Sequence, residues 1–104
     1  MFQKIISIQN LKIKLKKLRF NNKKIVLCHG VFDLLHLGHI NHFNEAKKYG
    51  DILIVSLTPD RFVNKGPGRP AFNEKNRLEA ISSLSVVDYV VLNNSKTAVS
   101  IIKE

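Results

Sequence analysis

The chain predicts an α/β fold, a parallel sheet flanked by helices, and three observations carry that reading. Short apolar runs rich in β-branched residues recur at 25–29, 52–57 and 86–92. The segments between them have helical periodicity and are long enough to return the chain over a sheet, which makes the strands parallel and the crossovers right-handed. Directly behind the first run stands a glycine turn that leads into a helix, the arrangement by which α/β proteins place a ligand at the carboxyl end of a strand.

Each element has its own warrant. Ser7 can cap a first helix in which Ile8, Leu11, Leu15 and Leu18 recur at helical spacing among lysines, and Asn21-Asn22 stops it. The run at 25–29 is apolar enough to be buried on both faces. Residues 36–49 read as a second helix with Ile40, Phe43 and Ala46 as its inner stripe, ended by Gly50 as a left-handed cap. Residues 52–57 form the second strand, and Thr58-Pro59-Asp60 opens a short helical turn. Two prolines and two glycines make 66–70 a loop. Asn73 caps a helix over 74–84 with Leu78, Ile81 and Leu84 inward. The third strand spans 86–92, Asn93-Asn94-Ser95 turns, and a last helix starts near Lys96 and continues to Glu104.

With 104 residues, 44% of them hydrophobic, the chain is the size of one domain with a core of its own. No apolar stretch approaches a membrane span, and no apolar block resembling a signal peptide opens it. Cys28, its single cysteine, is read as a small buried apolar residue, and the lack of a disulfide pair suits a cytoplasmic location. The net charge of +9 is unevenly placed: Lys4, Lys12, Lys14, Lys16, Lys17, Arg19, Lys23 and Lys24 precede the first acid, Asp33, and the remainder is near neutral. Nucleic-acid binding would call for stacking aromatics among those lysines, and the segment offers only Phe2 and Phe20. A solvated helix face is the expectation, with neither nucleic acid nor membrane as partner.

Chemistry concentrates behind the first strand. His36 and His39 lie three apart at a helix start, where unpaired N–H groups and a partial positive charge favour phosphate. His29 ends the strand. His42 extends the spacing to His-x-x-His-x-x-His, but it falls about 120° around the helix from His36, and no nearby acid completes a metal set, so no protein-held metal is expected. A second cationic group comprises Lys65, Arg69 and Arg77, with Arg61 weaker. In a chain with 13 lysines and 4 arginines, arginine at a given place suggests that its planar fork is needed, as in bidentate phosphate binding.

Gly30-Val31-Phe32-Asp33-Leu34-Leu35-His36-Leu37-Gly38-His39 resembles the G-T/V-F-D-x-L-H-x-G-H signature of the cytidylyltransferase-like nucleotidyltransferases, with Val31 where many members have threonine. The similarity extends over roughly residues 20–104. It takes in the helix end and strand at 46–55, the Lys65-Gly66-Pro67-Gly68-Arg69-Pro70 loop, Arg77, and Val87-Asp88-Tyr89-Val90-Val91. The nearest match is to the heptose-1-phosphate adenylyltransferase domain. The resemblance implies a Rossmann-like sheet with strand one at its centre and a fourth strand on its other side. That strand and a later Ser/Thr-rich motif have no counterpart here, and Ile81-Ser82-Ser83 precedes strand three and is an ordinary helix segment. Residues 1–22 are therefore expected as a leading basic amphipathic helix and 23–104 as the N-terminal portion of a nucleotidyltransferase domain.

The implied reaction joins a nucleoside monophosphate from ATP or CTP to a sugar phosphate and releases pyrophosphate. His36 and His39 would be catalytic. His29, Gly30, Val31, Phe32, Asp33 and Gly38 would bind the nucleotide, and Lys65, Arg69 and Arg77 the acceptor phosphate. Mg²⁺ would be held mainly by substrate and water. A homodimer, or membership of a larger polypeptide, is expected. The alternatives are a truncated nucleotide-binding module without turnover, and transfer to a non-sugar phosphate such as glycerol or choline phosphate.

Overall fold

The structure, a computed structural model, describes residues 4–33, 35–60 and 73–93. Three parallel strands, β1 (Ile25–Gly30), β2 (Ile52–Leu57) and β3 (Tyr89–Leu92), form one sheet in the order β1-β2-β3. The register runs from Ile25 opposite Ile52 to Gly30 opposite Leu57, and from Ile54 opposite Tyr89 to Leu57 opposite Leu92. Three helices surround it: α1 (Ile8–Phe20), α2 (Leu37–Lys47) and α3 (Glu74–Ser82). The Rossmann-like α/β expectation holds.

Strand periodicity separates two cores. Leu53, Val55 and Leu57 face one side of β2 and pack with Phe43 of α2 and with Leu78 and Ile81 of α3. Ile54 faces the other side and joins Val91 with Leu11 and Leu15 of α1. Successive right-handed crossovers put α2 and α3 on one face, and α1 covers the opposite one. Phe43 is wholly buried, and its truncation to alanine would cost about 3–5 kcal/mol. Ser7 caps α1 by accepting from the Asn10 N–H at 3.2 Å, and Asn22, at φ 61°, turns the chain out of the helix. Lys14, Lys16 and Lys17 of α1 are exposed, Lys14 standing 5.7 Å from the Tyr89 ring centroid. No described helix is long and apolar enough to cross a membrane.

Three expectations are corrected. Gly50 is not a left-handed cap: α2 ends on Lys48 in right-handed geometry, and Gly50 lies outside the positive-φ region. Glycine is needed there for close approach, since a Cβ would meet Val26 Cγ2 at 2.7 Å and the Lys24 carbonyl oxygen at 2.9 Å. The third strand begins at Tyr89 rather than residue 86, because Asp88 turns its side chain to the sheet. Its Oδ2 accepts from the Leu53 N–H at 2.7 Å and from the Lys47 ammonium. Finally, Ile25, Val26 and Leu27 of β1 are half-buried rather than buried on both faces, β1 forming a sheet edge among the described residues. The 66–70 loop and the last helix lie outside the described residues.

Candidate active site at the carboxyl end of β1

The turn after β1 is strained and tightly tied. Phe32 has φ 50°, a left-handed conformation that costs a bulky residue about 1–3 kcal/mol. Its ring meets His39 edge-on at 5.3 Å between centroids and Phe43 at 5.2 Å. Gly30 makes room for that ring, because a Cβ at position 30 would come within 2.8 Å of Phe32 Cζ. The turn's carbonyls are drawn away from the crevice: Gly30 O accepts from the Thr58 N–H at 3.0 Å, and Val31 O from Arg77 Nη1 at 2.9 Å.

His36 is the N-cap of α2, with extended backbone (φ −138°, ψ 176°). Its Nδ1 accepts from the Gly38 N–H at 3.0 Å, and His39 Nδ1 accepts from the His36 N–H at 3.3 Å. The pair thus forms a reciprocal capping box, with imidazoles in the places usually taken by Ser/Thr and Glu/Gln. The two rings stack at 4.0 Å with an interplanar angle of 30°. Because both Nδ1 atoms accept, each neutral ring carries its proton on Nε2, which assigns the tautomers from the hydrogen bonds. The result is two N–H donors beside the partial positive charge of a helix start. Gly38 allows this arrangement, since a Cβ there would stand 2.8 Å from His36 Cε1.

Arg77 differs from expectation. Its fork, expected on an acceptor phosphate, is turned inward: the residue is 2% exposed, and Nη1 donates to Val31 O at 2.9 Å and Thr58 O at 2.7 Å, while Nη2 pairs with Asp60 Oδ1 at 2.6 Å. Arg77 therefore braces the turn after β1 against the chain leaving β2. Asp60 is held in addition through its N–H, which donates to Glu74 Oε1 at 3.0 Å. Between that brace and the turn lies a cleft of about 330 Å³ lined by Phe32, Asp33, Leu35, Asn76, Arg77 and Ala80. Asp33 is almost wholly buried. Lys65, Arg69 and Arg61 lie outside the described residues.

The structure thus gathers His29, Gly30, Val31, Phe32, Asp33, His36, Gly38 and His39 at one end of the sheet. His29 Nδ1 lies 2.8 Å from Ser56 Oγ, and desolvation pulls the His29 pKa below the ordinary histidine value, against a raising hydrogen bond to the Ser56 backbone. His42 stands apart, with Nε2 3.8 Å from Cys28 Sγ, and burial pushes that thiol's pKa up. Among the described residues no three His, Cys, Asp or Glu side chains converge as metal ligands.

The model of the cytidylyltransferase-like family matches residues 27–104. The chain belongs to the cytidylyltransferase-like family. Among curated relatives, the bifunctional protein HldE of Helicobacter pylori (strain G27) is 44% identical over 102 residues, 96% of this chain and 21% of that protein. HldE of Desulfatibacillum aliphaticivorans is 44% identical over 91 residues, 86% of this chain and 19% of that protein. The chain therefore spans about a fifth of the length of these relatives. A crystal structure of the lipopolysaccharide core biosynthesis protein from Thermoplasma volcanium GSS1 superposes with a TM-score of 0.70 at 38% identity, covering 78% of this chain and 66% of that one.

For this member of the family, sequence reasoning found the histidines but not how they cap the helix. The signal was present: a polar acceptor three residues before a second one at a helix start is the capping-box spacing. Ser56 and Asp60 were missed, and only their partners across the fold single them out.

Proposed function

We propose that the chain carries the triphosphate-holding side of a nucleotidyltransferase site, which transfers a nucleoside monophosphate from ATP or CTP to a sugar phosphate and releases pyrophosphate. The observation that carries the reading is the interlocked capping of His36 and His39, which leaves both Nε2–H groups as fixed donors at a helix N-terminus. In-line displacement at phosphorus needs neutralisation of growing charge, and preorganised donors provide it without reorganisation. Withdrawal of the Gly30 and Val31 carbonyls removes oxygens that would repel an anion. The family membership and the HldE relatives support a sugar phosphate as acceptor.

Lys65 and Arg69 supply the cations proposed for the acceptor phosphate, and Arg77 supports them as a brace. The donor set fits a Mg²⁺ ion carried on the substrate's phosphates and water, because the histidines present N–H groups rather than lone pairs. When bound, the ion would neutralise phosphate charge. We place the protein in the cytoplasm.

Pyrophosphate release from ATP and from CTP with a panel of sugar 1-phosphates tests this function, alongside equilibrium binding of each nucleotide. Turnover with one pair, lost in His36→Ala and His39→Ala, is the expected result. Binding without turnover would favour a nucleotide-binding module, a reading supported by β1 forming a sheet edge among the described residues.

A further inference from the structure

Ser56 is the only polar residue in β2, and it is completely buried. A hydroxyl removed from water needs an acceptor for its hydrogen, or it costs the fold its desolvation. Directly opposite in the β1–β2 register stands His29, with Nδ1 2.8 Å from Ser56 Oγ. Were Nδ1 protonated, it would donate to Oγ and the buried hydroxyl hydrogen would lose this acceptor. With the lone pair on Nδ1, the hydroxyl donates and is satisfied, and the ring's proton sits on Nε2. Desolvation lowers the pKa of this imidazole, against a raising hydrogen bond to the Ser56 backbone.

We propose that Ser56 is a positioning residue that holds His29 as its Nε2–H tautomer, so that this imidazole donates to an acceptor atom on the nucleoside part of the bound nucleotide. The inference rests on the nucleotidyltransferase reading for its ligand, but not for the tautomer. The placement follows from strand alternation. Ile25 and Leu27 of β1 pack on the α1 side of the sheet, so His29, two residues on, emerges from that same side. His36 and His39 stand at the start of α2, on the opposite face. A nucleotide lying across the carboxyl end of β1, with its phosphates at α2, brings its nucleoside to the α1 side. His29, Ser56 and the capping pair thereby give three imidazoles one tautomer by three different local donors: a side-chain hydroxyl, the Gly38 amide and the His36 amide.

Long-range ¹H–¹⁵N NMR of the histidine rings of the full chain reads the tautomer directly, without nucleotide. The wild type should show His29 as Nε2–H, and Ser56→Ala should convert it to a mixture while His36 and His39 stay unchanged. An Nδ1–H ring in the wild type, or a tautomer indifferent to Ser56→Ala, overturns the proposal. Ser56→Ala should weaken ATP or CTP binding roughly fivefold, the worth of one orienting hydrogen bond. In a His29→Gln background, whose amide keeps a donor near the Nε2 position, Ser56→Ala should change affinity little; an undiminished loss there overturns the positioning role. Tripolyphosphate should shift the rings of His36 and His39 but not His29, and ATP or CTP should shift all three. A His29 response to tripolyphosphate overturns the nucleoside assignment. If no ring responds to any probe, the transferase reading fails, whereas the tautomer measurement still decides the role of Ser56.

Discussion

Arg77 and Asp60 form an ion pair, Nη2 to Oδ1 at 2.6 Å, in which the guanidinium side chain is 1% exposed and the carboxylate 37%. The asymmetry explains its job. A buried cation needs its donors satisfied, and Arg77 gives two more of its N–H groups to the carbonyls of Val31 and Thr58. One side chain on α3 thereby fixes the turn after β1 and the exit from β2. Solvent reaches Asp60 and screens part of the pair, so the carbonyl contacts carry much of the specificity.

Arg77→Lys should therefore destabilise the fold as well as weaken function. A lysine ammonium cannot span two carbonyls and a carboxylate in one plane, and each buried carbonyl left without a donor costs about 1–3 kcal/mol. Chemical denaturation should show a lower midpoint at unchanged slope. If instead stability is retained and only the acceptor's KM rises, Arg77 contacts substrate and the bracing role is wrong.

His36→Ala and His36→Asn should part company. Alanine removes both the cap and the Nε2–H donor, at a stability cost of about 1 kcal/mol. Asparagine restores a good N-cap but places no donor where Nε2 stood, so stability should return while transfer stays depressed. His39→Ala should likewise lower transfer, and loss of one donor at a developing charge corresponds to roughly 10²–10³-fold. Thermal melts paired with pyrophosphate release make the comparison. Normal transfer in His36→Asn would confine the histidine to capping.

The elements that local chemistry dictates were legible in the sequence. Ser7 and Asn73 cap α1 and α3 as read, and β2 occupies residues 52–57 because its apolar run serves two cores. The histidine motif was legible because spacing and a following helix define it. The burial of Arg77 was not, since two of its acceptors lie 46 and 19 residues away, and nothing local distinguishes a brace from a phosphate ligand. Gly50 misled for a related reason: a glycine after a helix suggests a left-handed cap, while the contact that requires it belongs to Val26 and Lys24 on a neighbouring strand and its approach.

Gly38→Ala should separate stability from activity in the opposite sense. Alanine in the first turn of α2 suits the helix, by about 0.5–1 kcal/mol relative to glycine in an interior position, and Gly38 carries no positive φ to oppose it. Its Cβ, however, would stand 2.8 Å from His36 Cε1, and the ring must swing away from the cap and from its stack on His39. Unfolding free energy should change little, while nucleotide affinity and transfer both fall. Unchanged transfer would mean that the orientation of the His36 ring is immaterial to the reaction.

His29 should leave a signature in the pH dependence of stability. Desolvation lowers its pKa in the folded chain from the ordinary 6.5, and a hydrogen bond to the Ser56 backbone opposes the shift. The unfolded chain thus takes up a proton at higher pH than the folded one. The contribution is fully present above about pH 6.5 and is lost as pH falls through the lower folded value. The ring is partly solvated, so its share is smaller than that of a buried imidazole. Denaturation of the wild type and His29→Gln should be compared at intervals from roughly pH 5 to pH 8, the range over which histidine charge changes. The other three histidines are present in both proteins, so the difference isolates His29. The wild type should gain on the variant as pH rises and then level off above about 6.5. A wild type that gains on acidification would place a favourable anion beside His29, contrary to the neutral ring bound to Ser56.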